Sequence, residues 1–171
     1  MGVWAKLDSE GKKTGPNPTD RGKSGTKKSL AVEADGGPLG VTVAGANIPD
    51  VHLLEETLEA IVVERPPATS EQPQNLCLDK AYDQPRGYEV IAQTDYTSHI
   101  RPKGERPEDL PPQSQRHPPR RWVVERTLSW LQKCRGILIR YDKKWKNYLA
   151  LIQLACALLW FRRLHRLDVL R

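Results

Sequence analysis

Six prolines fall between residues 102 and 119: Pro102, Pro107, Pro111, Pro112, Pro118 and Pro119. Each fixes φ and removes a backbone donor, so no helix or strand can run through that stretch. The chain is thereby divided, and regular elements must form before residue 102 or after residue 119. Upstream, SLAVEA (29–34) and LGVTVA (39–44) read as strands joined at Asp35-Gly36-Gly37, which makes a hairpin. Pro49-Asp50 opens a helix that reaches residue 63, with Leu53, Leu54, Leu58, Ile61 and Val62 at helical spacing. ERPPATSEQPQN (64–75) is a linker, and LCL (76–78) is a short apolar strand closing on Asp79. Arg86 to Thr94 suits a helix and TSHI (97–100) a strand. Downstream lie two helices, near 120–134 and 145–166. This order predicts an α/β domain with a mixed sheet flanked by helices. The predicted organisation is a Gly/Lys-rich basic loop over 1–28, a core over 29–166 and a tail over 167–171.

A length of 171 residues suits one domain with a sizeable core. The first thirty residues are polar and contain no apolar leader. The longest apolar run, Tyr148 to Phe161, is shorter than the ~20 residues that cross a bilayer, and Gln153 interrupts it. It reads as a buried core helix, so no membrane partner is expected. Cys77, Cys134 and Cys156 are odd in number and lack paired spacing, as reduced thiols of a cytoplasmic protein do. His52, His99, His117 and His165 are scattered and form no zinc pattern.

The net charge of +6 conceals a strong segregation. Residues 31–100 carry three Lys/Arg against twelve acids, whereas residues 101–171 carry seventeen against six. A basic C-terminal third suits a surface that tracks phosphates, because each neutralised phosphate releases counterions. Arg120, Arg121, Lys133, Arg135, Arg140, Lys143 and Lys144 are the candidate DNA contacts. The plainer alternative is a set of solvated helix faces.

Two acids carry the chemistry. Asp79 follows directly on an apolar strand, and the carboxyl ends of strands in open α/β sheets are where sites collect. Lys80, Tyr82 and Asp83 crowd it. A turn or a helix cap is the structural alternative. Glu125 shares a polar stripe with Arg121, Ser129 and Gln132, bordering a side that packs. There the alternative is an i, i+4 ion pair with Arg121 on a solvated face.

Five blocks taken in order weaken both alternatives: GPNPTDRGKSGTKKSL (15–30), GANIPD (45–50), LDKAYD (78–83), RRWVVERTLSWLQK (120–133) and RYDKKWKNYLALIQLACALLWFR (140–162). From Lys13 to Arg163 the chain resembles the bacterial insertion-sequence DDE transposases, in the group typified by insertion sequence five. The resemblance implies a ribonuclease-H-like catalytic core that cuts and joins DNA at transposon ends with two Mg²⁺ or Mn²⁺ ions. It implies that Asp79 and Glu125 are the second and third acids of the metal-binding triad. Carboxylates suit that chemistry, since magnesium takes oxygen ligands and paired cations stabilise the attacking and leaving oxygens. Arg121, one turn before Glu125, matches the family's Arg, and its fork suits a phosphate. Two positions depart from the pattern: Gln132 stands where a basic residue is expected, with Lys133 one further on, and Pro118 stands where a Tyr is expected.

The first triad acid belongs on a strand shortly before the Gly/Lys-rich loop. Asp8 lies in a polar context, Asp20 in the loop motif PTDRG and Asp35 in the hairpin turn, so none fits. The expectation is a core lacking its first strand and first acid, inactive alone, either as a decayed remnant or as the downstream product of a split reading frame. The alternative from another class is a non-catalytic DNA-binding or regulatory fragment that competes with intact transposase, with that protein or a second copy as partner.

Overall fold

The computed structural model describes residues 13–100, Gly104 and residues 120–169. Most of the proline-rich stretch and Asp8 lie outside these residues. The hairpin is present as β2 (Ser24–Val32) and β3 (Pro38–Gly45), antiparallel, with β1 (Gly15–Pro16) beside the start of β2. Residues 24–28, expected in the basic loop, are strand: Thr26 pairs with Gly45 and Lys27 with Ala44. Long lysine stems make this tolerable, because they lie along the sheet while the ammonium reaches a polar partner. Lys27 Nζ thus meets Asp50 Oδ1 at 2.8 Å, and Lys28 Nζ donates to the Tyr148 hydroxyl at 3.2 Å.

The helix expected over 50–63 is shorter. A 3₁₀ turn over Asp50–Leu53 leads into α1 (Leu54–Glu59), and Ile61-Val62-Val63 lies outside it. Three consecutive β-branched side chains lose rotamer freedom in a helix. Val62 instead turns back, donating its N–H to Leu39 O at 3.4 Å. β4 (Gln74–Leu78) and β5 (Tyr96–Ile100) pair in parallel, from Gln74 opposite Tyr96 to Leu78 opposite Ile100. Between them come a 3₁₀ turn (Lys80–Tyr82) and α2 (Pro85–Ala92), which starts on a proline, where the missing donor costs nothing. The architecture is α/β, but hydrogen bonding divides the strands between two sheets, β1-β2-β3 and β4-β5, where one mixed sheet was expected.

Each sheet has its own core. Val41 and Val43 of β3 pack with Leu131 of α3 (Arg121–Gln132), Ile137 of α4 (Arg135–Leu138), and Tyr148, Ile152 and Ala155 of α5 (Trp145–Arg166). The second cluster is smaller: Leu54, Val90 and Ile91, with Leu76, Leu78, Tyr82 and Ile100 partly covered around them. Helix α5 has the bounds its periodicity suggested but is buried on one side only. Tyr148, Ile152 and Ala155, at i, i+4 and i+7, face the sheet, while Leu154 is 67% exposed and Phe161 56%. A helix laid on a single sheet face has cover for one stripe, so an all-round apolar sequence leaves residues over.

A carboxylate pair bridged by Arg121

The β2–β3 turn fixes where α3 sits. Gly36 adopts φ +93°, a conformation open to glycine, and closes the turn by donating to Glu33 O at 2.9 Å. Its carbonyl accepts the Thr127 hydroxyl at 2.6 Å, and the carbonyls of Asp35 and Ala34 accept Arg126 and Arg120 at 2.6 and 3.4 Å. The same turn grips α5. Glu33 accepts N–H groups from Asp35, Gly37 and Arg163, and Trp160 Nε1 donates to Pro38 O at 2.7 Å. Gly37 has to lack a side chain, since a Cβ there would stand 2.3 Å from the Trp160 ring. Burial raises the Glu33 carboxyl's pKa, but the two backbone N–H bonds and Arg163 outweigh that and hold it below the ordinary value.

With α3 held so, Val123, Thr127 and Leu131 point inward, and Arg121, Glu125 and Ser129 form the exposed stripe. Glu125 therefore lies toward solvent, its side chain 56% exposed, and not at the border of the side that packs. Asp79 arrives from the other core. Leu76 and Leu78 anchor β4, the strand ends at Leu78, and the Asp79 carbonyl accepts the Tyr82 N–H at 2.9 Å. The Asp79 side chain caps nothing, so it is free of the turn.

Arg121 brings the two acids together. Its Nη1 lies 2.9 Å from Asp79 Oδ2, and its Nε donates to Glu125 Oε1 at 2.7 Å. Both carboxylates sit on one guanidinium, so these oxygens lie within about 8 Å of each other. The hydrogen bond to Glu125, with the fields of Asp79 and Glu125, raises the Arg121 pKa further. Beneath them, Tyr82 packs into the smaller core; burial, then the charges of Asp50 and Asp79, push its phenol up to about 12. Two oxygen donors that already converge on one cation fit a hard divalent ion. Among the described residues, no group of three His, Cys, Asp or Glu stands close enough to hold a metal.

A family model described as "Transposase DDE domain" matches residues 5–160. The chain belongs to the insertion-sequence DDE transposases. It is similar, at 32% identity over 170 residues, to a putative transposase for insertion sequence element IS402 from Burkholderia cepacia. That match covers 91% of this chain and 72% of the relative. No solved structure matches.

The candidate DNA contacts divide sharply. Arg120, Arg121, Lys133, Arg135, Lys143 and Lys144 are exposed. Arg140 is 2% exposed, and its guanidinium donates to the carbonyls of Asp142 and Lys143 and to the Thr26 hydroxyl, at 3.0, 3.1 and 2.9 Å. It ties the segment before α5 to the start of β2 and has no face left for a phosphate. Lys146, exposed beside Lys143 and Lys144, was missed although it continues the same basic run. Also missed was the Arg126 guanidinium between the rings of Trp122 and Trp130, 4.7 and 5.1 Å from their centroids, for which the i, i+4, i+8 spacing was the signal. No helix among the described residues is long and apolar enough to cross a membrane.

Proposed function

We propose that the chain is the catalytic-core portion of a transposase for metal-dependent strand cleavage and transfer at transposon ends, built on a ribonuclease-H-like plan. The observation that carries this reading is the convergence of Asp79 and Glu125, from two separate cores, on one cationic group. In it Asp79 and Glu125 would hold Mg²⁺ or Mn²⁺, which would supply charge stabilisation for phosphodiester cleavage and a more acidic water. The chain's own residues orient and attract. The α3 stripe sets Glu125 one turn from Arg121, whose planar fork suits a phosphate. Arg120, Lys133, Arg135, Lys143 and Lys144 supply salt-sensitive attraction along the backbone.

Activity of the isolated 171-residue chain is a separate matter. Two-metal cleavage needs ligands on both sides of cations roughly 3.5–4 Å apart. Among the described residues no third acid joins Asp79 and Glu125; with two acids alone the nucleophile would lose its position, and even a ~1 Å error costs about 100-fold. End-nicking of a labelled transposon-end duplex with Mg²⁺ or Mn²⁺ is therefore expected to be undetectable for this chain alone. Robust nicking abolished by Asp79→Ala would contradict this and locate a third acid in the chain, with Asp8 and Asp20 the first to substitute. A second reading, a non-catalytic DNA-binding protein that competes with intact transposase, rests on the exposed Arg120, Lys133, Arg135, Lys143 and Lys144. Inhibition of an intact enzyme by a catalytically silent Asp79→Asn/Glu125→Gln chain would support it.

A further inference from the structure

We propose that Arg121 is a built-in counterion that keeps the carboxylate pair closed to divalent cations until DNA phosphate draws its guanidinium away. This rests on reading Asp79 and Glu125 as the metal-holding acids. The geometry makes the competition direct, because Arg121 engages Asp79 Oδ2 and Glu125 Oε1, oxygens that a cation would itself need. Different nitrogens serve the two acids, Nη1 for Asp79 and Nε for Glu125, so the guanidinium stands between them and not to one side. One positive charge between two negative ones also offsets the repulsion between the two carboxylates.

The contact is built to open. Arg121 is the first residue of α3, and its side chain is 63% exposed, against 33% for Asp79 and 56% for Glu125. Ion pairs so open to water are individually weak, so a competing anion or cation of higher charge displaces them readily. A phosphodiester offers the same fork two oxygens, and charge-assisted bidentate pairs are the strong ones. The consequence is thermodynamic linkage: phosphate on Arg121 frees the acids for a cation, and a cation on the acids frees Arg121 for phosphate, by one and the same factor. Metal loading and DNA engagement are then coupled through one side chain that belongs to neither body's core.

The test is a Mn²⁺ titration of the full chain followed by electron paramagnetic resonance, without DNA and with a saturating short duplex. Without DNA, Arg121→Gln is expected to bind Mn²⁺ at least about 5-fold more tightly than the parent, and Arg121→Lys to fall between them. Lys80→Gln removes a neighbouring exposed charge that is not bonded to the pair, and is expected to change affinity less than about 2-fold. Duplex should tighten Mn²⁺ on the parent by a similar factor and leave Arg121→Gln unmoved. If Mn²⁺ binds the parent and is lost in Asp79→Asn, yet Arg121→Gln binds no tighter, the counterion role is overturned and the metal reading stands. An equal gain from Lys80→Gln and Arg121→Gln also overturns it, since general electrostatics then suffices. Mn²⁺ absent from parent and Arg121→Gln alike, or indifferent to Asp79→Asn and Glu125→Gln, overturns both.

Discussion

The two cores differ in kind. Around the hairpin, Val43, Leu131 and Ile152 are completely buried, and the β2–β3 turn ties α3 and α5 down through side-chain to backbone bonds. Around β4 and β5, the buried cluster among the described residues is Leu54, Val90 and Ile91, and the strand residues Leu76, Leu78 and Ile100 stay half-covered. Glu125 and Arg121 belong to the first body and Asp79 to the second. The contrast teaches that the proposed site depends on a seam: one acid is fixed by a dense, polar-stapled scaffold, the other rides on a thin layer.

Hollowing each core in turn should separate the two most clearly. Ile152→Ala should cost about 2–5 kcal/mol, because a fully enclosed site relaxes little around the void. Ile91→Ala should fall at or below the lower end of that range, since a small, partly open cluster can collapse. Chemical denaturation measures both, and equal losses would show that the bodies are equally well built.

A smaller effect separates the basic residues. Arg140→Gln removes a buried donor set and should cost about 1–3 kcal/mol, leaving the salt dependence of DNA binding unchanged. Lys133→Gln should do the reverse, moving stability by less than about 0.5 kcal/mol and lowering the slope of log affinity against log salt by roughly one. Filter binding across a salt series gives the slopes. A reduced slope for Arg140→Gln would mean that the segment before α5 opens to meet DNA.

The smallest expected effect is on acid stability. Glu33 and Glu56 both have folded pKa values below their ordinary ones: burial raises each, but Asp35, Gly37 and Arg163 lower Glu33 more, and Lys13 and Thr42 lower Glu56 more. Groups depressed in this way contribute stability that is fully present above the unfolded glutamate pKa. It is lost as pH falls through the folded value. Glu33→Gln should therefore flatten the decline below about pH 4.5 and lower the plateau at neutral pH. An unchanged acid limb would mean that Glu33 does not staple the turn.

Much of this was legible in the residues. The turn signal Asp35-Gly36-Gly37 between two strand-like runs exposed the hairpin, and an apolar strand ending on an acid exposed Asp79. The i, i+4 spacing showed that Arg121 can reach Glu125, but its bond to Asp79, 42 positions upstream, depends on how two cores meet. Lys27 and Lys28 hid the start of β2, because charged side chains alternate without an apolar partner to mark the face. Arg140 looked like one more base available to DNA, since nothing local reveals that Thr26 and two backbone carbonyls surround it. The division into two sheets was equally invisible, because strand pairing is a property of contacts distant in sequence.

Iron-directed cleavage of the protein backbone tests most directly whether Asp79 and Glu125 face one cation across the seam. Fe²⁺ with ascorbate and peroxide, on the full chain with duplex DNA present, generates radicals at the bound ion. Paired cuts are expected close to residues 79 and 125, both lost together in Asp79→Asn and both suppressed by excess Mg²⁺. Cuts at one position alone, or a pattern that ignores Asp79→Asn, would contradict it.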